Sequence, residues 1–228
     1  MSEDLREERM ETTTTARPRL DRTGRTITTF VVFDVAAELR GMAEGDVLEL
    51  VTDDFEPFES DIRAWCESTG HVLIGSEAIG ESRRFLIEKG SILPNDKACA
   101  LVISAAGLEE LLSPLGFALA AALEGMDVHL YFQGPAVRVL THGFQPKLRG
   151  WSRPFSRFAA AGMSKSGHIA AEQKLQQLHS LGAHIYVCGG SMQPFKVTKQ
   201  DLMFDDLPIV EYFTFMAVME KANIHVYV

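Results

Sequence analysis

The sequence predicts an α/β protein in which an N-terminal two-layer βαβαββ sandwich precedes a doubly wound, mostly parallel α/β sheet. In residues 18–90, two helical patterns lie between short strand patterns, and two further strand patterns follow, separated by Gly80. From residue 97 onward, continuous apolar strands alternate with longer helical patterns, as is typical of a parallel sheet covered by helices. Pro94 and Asn95 mark the boundary between these two regions.

The predicted domains are a flexible tail (1–17), a first domain (18–90), a linker (91–96) and a second domain (97–228). In the first domain we expect a helix at Thr28–Arg40, although the apolar run Phe30–Phe33 would equally suit a strand. The other expected elements are strand Asp46–Val51, helix Pro57–Thr69 and strands His71–Ser76 and Arg83–Glu88.

The second domain is expected to alternate strands and helices over its whole length. The predicted strands are Ala98–Ser104, Asp127–Phe132, His184–Val187 and Ile224–Val228, and the predicted helices are Leu108–Glu124, Ala170–Ser180, Lys196–Met203 and Val210–Ala222. Residues 141–169 show no such pattern and are expected to form a long basic loop.

The composition is that of a soluble globular protein, with 46% apolar and 23% charged residues among 228. A net charge of −9 argues against nucleic-acid binding. Three well-separated cysteines form neither a disulfide framework nor a zinc motif, and no phosphate-binding glycine loop is present. The sequence therefore predicts no metal and no cofactor. The polar N-terminus lacks a signal-peptide pattern, and we expect a cytoplasmic protein.

The most informative residue is Cys188, at the end of the predicted strand His184–Val187. Gly189, Gly190 and Ser191 follow, so backbone N–H groups near the cysteine are expected to stabilise a thiolate or another anion. The alternative is a structural cysteine buried in the strand, since free cysteine is often buried. Cys66 and Cys99 lie on apolar faces and are expected to be core residues.

The predicted loop 141–169 contains basic and aromatic residues but no acidic ones. Its Lys147, Arg149, Arg153 and Arg157 are candidates for binding an anionic donor or partner near Cys188. Contact with a membrane surface or with a neighbouring subunit is a second interpretation, and a solvated loop is a third.

The first domain resembles the TusA (SirA-like) family of sulfur carriers. The matching residues are Leu20-Asp21, Gly24, Gly45, Asp53-Asp54, Asp61-Ile62, Trp65 and Gly70-His71. The family carries a persulfide on the cysteine of a Cys-Pro-x-Pro motif, where this chain has Thr26–Thr29. A hydroxyl cannot replace that thiolate, so we expect a domain that has lost its nucleophile and acts in docking.

The second domain resembles the DsrE family, and within it the DsrE2-like branch of sulfurtransferases. The resemblance lies in Ala100–Ile103, Phe117–Gly125, Val128–Phe132, Gly182–Cys188 and Ser191-Met192. It implies that Cys188 accepts sulfur as a persulfide and that the chain forms a homo-oligomer. The branch often continues Ser-Met with Asp-x-Met-Gly, whereas this chain has Gln193–Lys196.

Together these observations predict a sulfur-relay protein, a persulfide carrier or sulfurtransferase that uses Cys188. Its expected partners are other sulfur-relay proteins, one supplying a persulfide and one accepting sulfur on a thiol. The alternative is a scaffold without catalysis or a regulatory module that binds an anion. The lost cysteine of the first domain favours that alternative.

Overall fold

The computed structural model describes residues 17–165 and 168–228. The predicted tail therefore lies outside the described residues, apart from Arg17. The chain divides into two compact units whose longer segments meet at Ile92 and Leu93, and the short stretch Thr26–Phe33 is grouped with the second unit. The predicted fold class is confirmed for both.

The first unit contains a four-stranded mixed sheet with the order β1-β2-β4-β3. Its elements are β1 (Arg19–Asp21), α1 (Thr28–Arg40, of which the part from Asp34 belongs to this unit), β2 (Val47–Asp53), α2 (Glu56–Thr69), β3 (Val72–Ile79) and β4 (Ser82–Glu88). Strand β1 is parallel to β2, whereas the other pairs are antiparallel. The core consists of apolar residues from both layers, including Leu50, Phe58 and Phe85, which are fully buried.

The sequence left open whether Phe30–Phe33 is helical or extended, and the structure shows a helix. Val31, Val35 and Leu39 are buried, and their spacing places them on one face of α1. Helix α2 ends where predicted, because Gly70 adopts a left-handed conformation (φ 87°) and donates its N–H to the Cys66 carbonyl.

The second unit contains a five-stranded sheet with the order β8-β7-β6-β5-β9, in which every pair is parallel. The strands are β5 (Ala98–Ile103), β6 (Asp127–Phe132), β7 (His184–Cys188), β8 (Ile209–Val210) and β9 (Ile224–Tyr227). The helices are α3 (Leu108–Leu123), α4 (Ser156–Lys165), α5 (Ala171–Ser180), α6 (Gly189–Met192) and α7 (Tyr212–Met219).

The strand order explains how helices cover both faces of this sheet. Helices α3 and α5 connect strands added in one direction, so right-handed crossovers place them on the same face, where they contact each other. Strand β9 is added in the opposite direction, which places α7 on the other face. Stacking of Phe215 of α7 on Tyr131 of β6 confirms this position.

Two predicted helices of the second unit differ from the structure. The helix expected at Lys196–Met203 is absent; α6 begins directly at Gly189, and only a short 3-10 turn forms at Lys199–Asp201. Lys196 has a positive φ of 55°, which a continuous helix would not allow. The helix expected at Val210–Ala222 is shorter, because Ile209–Val210 pairs with β7 instead.

The segment expected to be a long loop also contains regular structure. Residues Gly150–Phe155 form a 3-10 turn that leads into α4. The Ser156 hydroxyl accepts a hydrogen bond from the Leu148 N–H and donates one to the Arg153 carbonyl, which fixes the start of α4. No helix in the described residues is long and apolar enough to cross a bilayer.

Candidate functional site

Cys188 is the last residue of β7 and immediately precedes α6. Because β5, β6 and β7 are parallel, the loops that follow them meet at the same edge of the sheet, and Cys188 lies on this edge. The residue is only 1% exposed. Burial alone is typical of a structural cysteine, so the groups around the sulfur decide what it can do.

A directed hydrogen bond reaches the sulfur from Ser191. The Ser191 hydroxyl donates to Cys188 Sγ over 3.1 Å, and its oxygen accepts the N–H of Gly134 over 2.8 Å. Since Gly134 supplies a donor, the one hydroxyl proton of Ser191 is directed at the sulfur. Gly134 has a positive φ of 54°, a conformation that glycine adopts without strain.

Tyr131 is the second polar group beside the sulfur. Its side chain is 1% exposed, and its ring stacks on Phe215 with centroids 4.7 Å apart. The hydroxyl is buried without a hydrogen-bond partner of regular geometry, but it interacts electrostatically with the Cys188 thiol. Burial raises the pKa of Tyr131, and the neighbouring thiol and the Glu211 carboxylate raise it further, so Tyr131 keeps its proton.

The Glu211 carboxylate packs against both glycines that follow Cys188. A Cβ atom on Gly189 would lie 2.9 Å from Glu211 Oε1, and one on Gly190 would lie 3.4 Å from the same oxygen. A side chain at position 189 would therefore displace the end of the Glu211 side chain. A negative charge of the protein itself therefore lies next to the predicted anion-stabilising residues.

The predicted donor-binding residues begin at the same edge of the sheet as Cys188. The Lys147 carbonyl accepts the N–H of Leu108 at the start of α3, and the backbone N–H of Arg149 donates to Glu109. The Arg149 guanidinium pairs with Glu110, whereas no ion pair among the described residues involves Lys147, Arg153 or Arg157.

The segment that carries these arginines also exposes large aromatic side chains. Trp151 is 90% exposed, Phe158 79% and Phe155 58%, and Arg153 and Arg157 are exposed beside them. The surface formed by these five residues is called the basic–aromatic patch below. Exposed apolar side chains grouped in this way are typical of a surface that binds another molecule.

The other two cysteines lie in apolar surroundings. Cys66 is 1% exposed, and burial raises the pKa of its thiol to about 12. Cys99 is 4% exposed, and burial raises its pKa as well. Both thiols stay protonated at neutral pH, which fits a role in the core.

Thr26–Thr29, where a TusA protein carries its Cys-Pro-x-Pro motif, lie at the start of α1. Helix α1 begins at Thr28, which is 8% exposed. No described residue between Thr26 and Thr29 offers a thiol, so this end of α1 lacks the family's nucleophile.

Sequence reasoning did not identify Tyr131 or Glu211 as neighbours of Cys188. Tyr131 lies in an apolar strand 57 positions from Cys188, and Glu211 lies just before a helix. The pairing of the two strands would have indicated Tyr131. Tyr131 lies directly opposite Tyr186, and Cys188 is two residues further along the same strand as Tyr186.

Comparison with known proteins gives two family matches. The family model of sulfurtransferase TusA matches residues 31–89, and that of the DsrE/DsrF-like family matches residues 97–226. The crystal structure of the YchN protein from E. coli matches 59% of this chain and 100% of that chain, at 13% identity and a TM-score of 0.42. No curated protein matches the chain.

The two family matches together imply a role in sulfur relay with other proteins. The second match covers more than half of the 228 residues. The chain therefore belongs to the DsrE/DsrF-like family and carries a TusA domain ahead of its DsrE-like domain.

Proposed function

We propose that this protein is a persulfide carrier or sulfurtransferase in which Cys188 holds the transferred sulfur. The Cys188 thiolate attacks the outer sulfur of a donor persulfide, a new S–S bond forms, and the donor S–S bond breaks. The donor leaves as a thiolate and takes up a proton from solvent. A second thiolate, on the acceptor, then attacks the outer sulfur and restores the Cys188 thiolate.

The observation that carries this proposal is the polar environment of a buried thiol. Ser191 directs its proton at the sulfur, and the Tyr131 hydroxyl lies beside it without a regular hydrogen bond of its own. A core cysteine such as Cys99 would need neither group. Both hydroxyls suit a sulfur that becomes an anion, because each supplies a hydrogen bond to negative charge. The N–H groups of Gly189, Gly190 and Ser191 are proposed to assist them.

Access to the sulfur requires a local movement, since Cys188 is 1% exposed. The Glu211 carboxylate lies against Gly189 and Gly190, which follow Cys188, and the short helix α7 begins directly after it at Tyr212. Tyr212 is 60% exposed, and Phe213 is 92% exposed. We propose that the start of α7 moves when a donor binds, because an exposed helix end of this kind costs little free energy to displace.

Three further parts of the protein are proposed to bind other proteins or other copies of the chain. We propose that the basic–aromatic patch, with Lys147, binds an anionic donor protein and that the TusA domain serves in docking. The exposed aromatic residues of α7 are proposed to form a contact between copies of the chain in a homo-oligomer. Attachment of the basic–aromatic patch to a membrane is the competing outcome, and binding to anionic vesicles tests it.

A second function is favoured by one specific observation. The Glu211 carboxylate lies against Gly189 and Gly190, where a persulfide anion would be stabilised. A permanent carboxylate there repels a second anion, and together with the burial of Cys188 it suits a scaffold or regulatory module that carries no sulfur. In this alternative Cys188 has a structural role only.

The experiment that separates the two functions is intact-protein mass spectrometry after incubation with a persulfide donor. The proposal predicts one adduct of about 32 Da, the mass of one sulfur atom, in the unmodified protein and in Cys99→Ser. The adduct is lost in Cys188→Ser. If the native protein takes up no sulfur, the scaffold function stands. If Cys188→Ser still takes up sulfur, Cys188 is not the carrier.

A further inference from the structure

A cluster of three potential metal ligands lies at the opposite edge of the second sheet from Cys188. Asp127 and His129 are the first and third residues of β6, and His184 is the first residue of β7. His129 and His184 are direct neighbours across the two strands, and their rings stack with centroids 4.8 Å apart and an interplanar angle of 13°. One ligand atom from each of the three residues lies within 4.8 Å of the others.

The contacts within the cluster orient both imidazoles toward one carboxylate. His129 Nε2 lies 3.0 Å from Asp127 Oδ2, and His184 Nε2 lies 3.2 Å from Asp127 Oδ1. Tetrahedral zinc with bonds of about 2.0–2.1 Å holds its ligand atoms roughly 3.3 Å apart. The two histidines lie at similar distances from Asp127, but from different oxygens of its carboxylate, so coordination of one ion requires side-chain rotations that bring the three ligand atoms, now within 4.8 Å of one another, toward a common point.

Tyr186 supplies the outer support that metal-binding histidines commonly have. Its hydroxyl lies 3.2 Å from His129 Nδ1. When Nδ1 carries the ring proton and donates it to this oxygen, the lone pair of Nε2 points toward Asp127 and is free to bind a cation.

The site also has access to solvent. The side chains of Asp127 and His184 are 55% and 54% exposed, whereas that of His129 is 13% exposed. Two imidazoles and one carboxylate therefore form one side of a coordination sphere that water completes. This set of nitrogen and oxygen ligands suits divalent first-row transition metals, and zinc in particular, better than it suits calcium or magnesium.

We propose that Asp127, His129 and His184 bind one divalent transition-metal ion, with zinc as the reference ion, and thereby link β6 to β7. The sequence did not predict this site, because His184 is 55 positions from His129 and the two are brought together only by the register of two parallel strands. The competing structure is a carboxylate that merely accepts hydrogen bonds from two histidines.

Titration calorimetry with zinc chloride on the untagged full-length chain tests the proposal. We expect saturable binding of one ion per chain. Substitution His184→Ala and the isosteric Asp127→Asn should each weaken it by about 100-fold or more, and Tyr186→Phe, which removes only the outer support, by about tenfold. His179→Ala is the matched control, because this half-exposed imidazole faces a single carboxylate, Asp206, at 3.5 Å.

Cobalt identifies the ligand type independently. The visible spectrum of the cobalt-loaded protein should lack the sulfur-to-metal charge-transfer band of a cysteine ligand, and Cys188→Ser should bind zinc with unchanged affinity. The test of the metal site is therefore independent of the test of persulfide transfer. Absence of one-to-one binding, or equal affinity in the parent, His184→Ala and Asp127→Asn proteins, would show a hydrogen-bonded cluster only.

Discussion

Two tyrosines on neighbouring strands are expected to respond in opposite ways to loss of their hydroxyl groups. The Tyr131 and Tyr186 rings both contact Phe215, with centroids 4.7 and 5.5 Å apart. The Tyr131 hydroxyl is buried without a regular partner, whereas that of Tyr186 is hydrogen-bonded to His129. Replacement by phenylalanine keeps the ring packing and removes only the hydroxyl, so the two variants are matched controls for each other.

The expected change in stability follows from these contacts. An unpaired buried hydroxyl costs about 1 kcal/mol or more of desolvation, so Tyr131→Phe should raise the free energy of unfolding of the second unit by about 1 kcal/mol. Loss of a satisfied hydrogen bond should make Tyr186→Phe less stable by about 1 kcal/mol. In calorimetry the unfolding temperatures of the two variants should differ by roughly 4–8 °C.

The gain in stability should be accompanied by a loss of function. If the Tyr131 hydroxyl donates to the anionic persulfide, its removal forfeits a charge-assisted hydrogen bond of about 1.5–3 kcal/mol, and loading of Cys188 should slow by about tenfold or more. The loading rate is measured by mass spectrometry on quenched samples. Equal destabilisation of both variants, or an unchanged loading rate in Tyr131→Phe, would exclude the proposed role of the Tyr131 hydroxyl.

Four further outcomes are expected. Ser191→Ala should slow alkylation of Cys188 by iodoacetamide about tenfold, because the thiolate loses its donor; an unchanged rate would remove Ser191 from the site. Glu211→Gln should speed sulfur loading roughly fivefold, since a nearby charge costs about 1 kcal/mol in a water-like dielectric; slower loading would instead make Glu211 a proton acceptor. Burial raises the pKa of Cys66 to about 12 from its ordinary 9.0, so its contribution to stability is complete below pH 9 and is lost as the pH rises toward 12. Thermal unfolding of Cys66→Val should therefore show a shallower alkaline decline, and parallel declines would contradict the assignment. The double change Arg153→Glu and Arg157→Glu should slow loading from an anionic donor about tenfold at low salt and less at high salt, unlike Arg40→Glu on the first unit; equal effects would exclude steering by the basic–aromatic patch.

Much of the fold could be predicted because apolar residues recur at regular helix or strand spacing in most elements. The alternation of strands and helices after Ala98 predicted the parallel sheet, and Gly70 marked the end of α2 correctly. The prediction was wrong where short-range geometry decides the structure. A helix was expected only from Lys196 onward, but Gly189 and Gly190 are already helical and lie against the Glu211 carboxylate.

The candidate site could be predicted only in part, for a physical reason. Cys188 and Ser191 are three positions apart, so their proximity follows from the local chain. Tyr131, Gly134 and Glu211 come from other strands and loops, and only the pairing of β6 with β7 and of β7 with β8 brings them to the sulfur. A single sequence contains periodicity along the chain but does not specify the register between strands.

Sulfur is proposed to reside on Cys188 during the relay, and a pulse-and-chase experiment can follow it on that residue. The protein is loaded with isotopically labelled sulfane sulfur, freed of donor, and digested before and after addition of an acceptor thiol. We expect the label on the peptide that contains Cys188 and its quantitative disappearance during the chase. Label on another peptide, or label that the acceptor cannot remove, would contradict the proposed function.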